Sequence, residues 1–161
     1  VMDATNSPSM KPRSNSRIAL LVVWIVAALV SIPAVLALKF VSGNAGWYAV
    51  MLMLGGVVPL GVWMLLGFIP LFILRDYDSN LVWAWAGLAM VFIGFIIGGA
   101  NLPDFGDTGP AGVPAWWRGN EDAATMTGML FLGISAVGHV LWLVSCIVYA
   151  VKSHRQQPPV L

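Results

Sequence analysis

The chain has 161 residues, 59% hydrophobic and 9% charged, with a formal net charge of +1 and a mean hydropathy of +0.85. A charged fraction this far below the roughly 25% of soluble domains rules against an ordinary water-soluble enzyme, and eight scattered basic residues make no nucleic-acid surface. Four stretches lack Asp, Glu, Lys and Arg altogether, Ile18 to Leu38, Phe40 to Leu74, Ser79 to Pro103 and Ala123 to Val151, and each can cross a hydrocarbon slab of about 30 Å.

Residues 1–16 are rich in Ser and Pro with few apolar side chains, so a flexible cytoplasmic N-terminal tail is expected. The transmembrane domain is expected over 17–151, with spans at about 18–40, 46–74, 81–100 and 124–151. Lys11, Arg13 and Arg17 precede the first apolar run. That run is longer than the roughly 7 to 15 residues of a signal-peptide core, so it is read as an anchor retained as the first helix. Pro33 removes one amide there and predicts a bend.

The second stretch is long for one helix and short for two. One tilted helix from about Trp47 to Leu74 is expected, made irregular by Gly55, Gly56, Pro59, Gly61, Gly67 and Pro70. Arg75-Asp76-Tyr77-Asp78-Ser79-Asn80 reads as a headgroup-level turn joining antiparallel neighbours. After the third span comes 101–122, a long irregular outer loop carrying seven Gly or Pro residues and the pair Trp116-Trp117. The fourth span leads to a short cytoplasmic tail over 152–161. The fold class is therefore an all-α membrane protein, four transmembrane helices in an up-down bundle.

Lysine and arginine set the orientation. Lys11, Arg13, Arg17, Arg75, Lys152 and Arg155 fall on one side, and Lys39 and Arg118 on the other, which places both termini in the cytoplasm of what reads as a bacterial inner membrane. Asp104, Asp107, Glu121 and Asp122 give the outer face an acidic character. Oxygen ligands of this kind suit calcium, but Asp104 and Asp107 have no EF-hand spacing, so a solvated or partner-docked loop is expected and no metal site is assigned.

His139 is the ionisable side chain inside a span that titrates nearest neutral pH, which makes it the one candidate cofactor-binding residue. On a helix it shares a face with Ser135, Trp142 and Cys146. One reading has it touching haem, quinone or a chlorin; the other is a neutral imidazole bonded to a backbone carbonyl or to an adjacent helix. No second histidine lies in a span to complete a haem pair. Methionines such as Met51, Met53, Met64, Met90, Met126 and Met129 read as gap-fillers.

Gly94 and Gly98 form a G-x-x-x-G, which packs a helix closely against another within the bundle or in a partner. With Trp116 and Trp117 they are the candidate partner-packing residues. Cys146 is the sole cysteine and has no intrachain disulfide partner. HExxH, GxSxG, CxxC and Walker patterns are missing, as is any pair of carboxylates within a span, so no catalytic residue is assigned. These features predict a non-catalytic accessory subunit of a respiratory or photosynthetic type of membrane complex, partnered by other integral subunits and lipids and requiring no cofactor. A redox or pigment-associated protein centred on His139 is the alternative, and a small four-helix transporter or quinone-linked enzyme the third.

Overall fold

The computed structural model of the chain describes residues 16–73, 81–104 and 112–155. Of the expected tails over 1–16 and 152–161, residues 1–15 and 156–161 lie outside the described residues, as do the Arg75 to Asn80 turn and Asp107, whereas 152–155 continue the last helix. All five helices are apolar around most of their circumference, as lipid requires of a backbone that has to satisfy its own amides. They are α1 (Ser16–Val41), α2 (Trp47–Gly55), α3 (Val57–Ile73), α4 (Val82–Asn101) and α5 (Glu121–Arg155). Three of them are each long and apolar enough to span a bilayer, while α2 and α3 pass that test together as a pair bent by 50°.

That bend corrects the single tilted helix expected over about 46–74. Pro59 lacks the amide that would bond the Gly55 carbonyl, and its ring crowds that carbonyl. The chain therefore breaks where it has two glycines, Gly55 and Gly56. The turn stays close to helical, with the Gly56 amide donating to Leu52 O at 2.9 Å and Leu60 to Gly56 O at 3.1 Å. A Cβ on Gly56 would come within 3.3 Å of Ile32, so the break is pressed onto α1. By contrast, α1 continues through Pro33 as one element.

The termini of α1 and α5 are written in local chemistry. Gly43, at φ +69°, takes the left-handed position after α1; its amide bonds Phe40 O and the Asn44 amide bonds Lys39 O at 2.9 Å, the paired pattern that closes a helix C-terminus. Asn120 caps α5, its Oδ1 accepting from the Ala123 amide at 3.0 Å. Glu121 and Asp122 then occupy the first turn, where the helix dipole favours anions.

The helices pack as a ring in which α1 touches α3 and α4, and α5 touches α4 and α3. The α4–α5 seam is the closest. Added Cβ atoms on Gly87, Gly94 and Gly98 would lie 2.7 to 2.9 Å from α5 atoms, among them Trp142 N, Phe131 O and Leu132 N. Gly138 answers from α5, where a Cβ would reach Val91 N at 2.7 Å. Backbone-to-backbone approach maximises dispersion contact in a solvent that offers no hydrophobic drive. Ser135 adds an interhelical bond, its hydroxyl donating to Val91 O at 2.7 Å. The core beside this seam is aromatic: Trp24 packs on Trp142 at 4.2 Å and edge-on to Phe92 at 5.0 Å.

Candidate functional site

Two polar nodes stand out from this apolar frame. The first lies midway along the helices and contains His139. Its Nδ1 is 2.8 Å from Ser135 O, and the Trp63 indole Nε1 donates to its Nε2 at 3.0 Å. A carbonyl accepts only from an N–H, and an indole N–H needs a lone pair to receive it. The imidazole is therefore the neutral tautomer with its proton on Nδ1. Trp24 extends the chain, its Nε1 donating to Trp63 O at 2.7 Å. The expected face of Ser135, His139, Trp142 and Cys146 is present, and it points into the protein: Trp142 and Cys146 are fully buried. With both nitrogens engaged, His139 ties α5 to α3 and offers no lone pair to a haem iron without breaking the Trp63 bond.

The second node closes the end of the molecule where α1, α4 and the 101–122 loop meet. Asp104, 1% exposed, lies there beside fully buried Lys39. The Lys39 ammonium is 3.6 Å from Asp104 Oδ2, donates to Leu102 O at 2.9 Å and lies 4.8 Å from the centre of the Tyr48 ring. Asp104 also caps α2 from a distance. Its Oδ2 accepts the amides of Gly46 (2.9 Å) and Ala49 (3.1 Å), and its Oδ1 that of Tyr48 (2.6 Å), which are the orphan donors of that helix N-terminus. Burial pushes the Asp104 carboxyl up, but those three amides and the Lys39 charge outweigh it and hold its pKa below the ordinary carboxylate value.

Asn44 and Asn101 complete the node. Asn44 Nδ2 donates to Leu102 O at 3.0 Å and its Oδ1 accepts the Asp104 amide at 3.0 Å. Asp104 and Gly112 exchange backbone bonds across the loop, and the Ala115 amide donates to Ser42 O at 3.1 Å. Asn101 Oδ1 takes both loop indoles, Trp116 at 2.9 Å and Trp117 at 2.6 Å. The indoles sit on a short 3-10 turn, Ala115–Trp117. Trp116 nevertheless remains 50% exposed.

One of the sequence-level expectations changes here. Asp104 is not a solvated loop residue, because its oxygens already hold three amides and an ammonium. Among the described residues no group of three or more His, Cys, Asp or Glu is placed to bind a metal. Gly94 and Gly98, whose spacing suits packing within the bundle or against a partner, lie against α5 of the same chain. The Lys39–Asp104 pairing was overlooked in the sequence, although a signal was present: Lys39 ends span one and Asp104 is the first charge after span three, at the same face of the membrane. Comparison of the chain with protein-family models, with curated proteins and with solved structures gives no match.

Proposed function

We infer that this chain is a non-catalytic integral membrane subunit, a four-helix up-down bundle with both termini in the cytoplasm, which docks beside other integral subunits through its outer end. The observation that carries this reading is Trp116. A large indole held by Asn101 yet half exposed is a rigid aromatic anchor, of the kind that dominates binding energy at protein interfaces. The buried Lys39–Asp104 node beneath it fixes the loop that presents it.

Other features support the same reading. The described polar groups within the helices serve packing between α1, α3, α4 and α5, and none gathers into a cavity with convergent ionisable groups, as chemistry or transport in a membrane requires. The orientation rests on the six-to-two split of basic residues. Burial of Lys39 against Asp104 leaves Arg118 as the outer basic residue whose charge faces water.

Mild solubilisation of the native membrane followed by native electrophoresis tests it. The wild-type chain should migrate within a larger assembly, and Trp116→Ala should release it while leaving its melting temperature in detergent unchanged. Migration of the wild-type chain as a lone species overturns the reading.

A further inference from the structure

At the end opposite Asp104, a groove of about 270 Å³ opens between the start of α4 and the closing turns of α5. It is lined by Trp83 of α4 and by Leu141, Val144, Ser145, Val148, Tyr149 and Lys152 of α5. These α5 positions recur at three- and four-residue spacing, so they share one helix face. Val144, Val148 and Trp83 are exposed, and the Ser145 hydroxyl is turned back onto Leu141 O at 2.6 Å. Among the described residues Lys152 is therefore the charged group lining the groove, one turn beyond Val148 on the same helix.

A slot that is apolar for about two helical turns, roughly 11 Å, and then cationic is complementary to an amphiphile with an anionic head. The charge balance at this end agrees, since by sequence it holds six of the eight basic residues against three of the seven acidic ones, and basic residues beside a membrane favour anionic lipid. We propose that the groove is a binding site for an anionic phospholipid. Its phosphate pairs with the Lys152 ammonium, and an acyl chain lies along Val144 and Val148 beside the Trp83 indole. The site depends on the chain spanning a membrane and is independent of whether Trp116 docks a partner.

The test uses the full chain, purified and delipidated in detergent, with native mass spectrometry during titration by phosphatidylglycerol and phosphatidylcholine of identical chains. Wild type should retain phosphatidylglycerol about fivefold better, the worth of one lysine at an anionic surface. Lys152→Gln should abolish that preference and Lys152→Arg preserve it. Val148→Trp should fill the slot and lower retention of both lipids. Lys152 is exposed, so its variants retain the fold even if the tryptophan does not. Equal retention of the two lipids by wild type, an undiminished preference in Lys152→Gln, or displacement of the lipid by inorganic phosphate would each overturn the proposal. A failure of the membrane reading itself would look different: the chain would stay monodisperse without detergent.

Discussion

A carboxylate with 1% exposure persists in so apolar a protein because its charge is answered on each side, by three amides of α2 and by Lys39. Removing it orphans all of them at once. Asp104→Ala is expected to lower stability by about 3 to 5 kcal/mol, the loss seen when one partner of a buried pair is deleted, read as thermal unfolding in detergent. The pH dependence follows from the lowered pKa. Unfolded, the carboxyl titrates near 3.8; folded, it titrates lower. Its stabilisation is thus complete above about pH 4 and is lost as pH falls below that value toward the folded pKa. Wild type should lose melting temperature over that interval, and Asp104→Asn, which cannot titrate, should lose less; parallel slopes would show that Asp104 is not the group responsible. The mid-helix node makes a separate prediction. Trp63→Phe shrinks a buried ring and strips His139 Nε2 of its donor, and the void together with the unsatisfied, partly buried acceptor is expected to cost about 1 to 3 kcal/mol. The double variant with His139→Leu should recover part of that loss, because no orphan acceptor remains.

Helices packed at backbone distance tolerate no Cβ, and this separates the glycines into two kinds. On α4, Gly98→Ala would set a methyl 2.8 Å from Leu132 Cγ and 2.9 Å from its amide, whereas an added Cβ at Gly133 meets nothing within 4 Å. Gly98→Ala should therefore destabilise by about 1 to 3 kcal/mol, while Gly133→Ala should be neutral or mildly stabilising through helix propensity. Circular dichroism during heating in micelles compares them directly, and equal effects would mean that the α4–α5 seam is not as close as described. Such pairing shows what sequence conveys at this scale. Length and hydropathy suffice for the positions of α1, α4 and α5, because in lipid a charge-free run of about 20 residues has few alternatives. The G-x-x-x-G spacing identifies a close-packing face but carries no information about which helix covers it, since α5 and a foreign helix present the same small atoms. The break at Gly56 was written in Gly55-Gly56 and Pro59. Its consequence is a bend of 50° at a point that lies against Ile32 of α1. Likewise the neutral His139 is legible as one of two readings. The partner of its Nε2, Trp63, is 76 residues away, and no local pattern connects the two.

For the whole molecule the governing asymmetry is charge. One end bears Arg17, Lys152 and Arg155 by sequence, while at the other Lys39 is internal to an ion pair and Arg118 remains exposed. Because the positive-inside bias counts lysine and arginine near span ends and gives little weight to acids, Asp104, Glu121 and Asp122 do not offset it. The up-down arrangement proposed above would set both termini against one leaflet and the 101–122 loop against the other. Single-cysteine variants test this in a Cys146→Ser background, Cys146 being buried and a poor target for reagents. A cysteine replacing Arg118 should react with an impermeant maleimide on intact cells, and one replacing Lys152 only after permeabilisation. Neither substitution disturbs the bias it reports, since removal of Arg118 strengthens it and removal of Lys152 leaves five basic residues against two. If the labels were exchanged, the Lys152 position reacting from outside and the Arg118 position only after permeabilisation, a chain entering α1 from the cytoplasm would not complete a crossing at the α2–α3 pair, and its 50° bend would mark a re-entrant segment that returns to the leaflet it left.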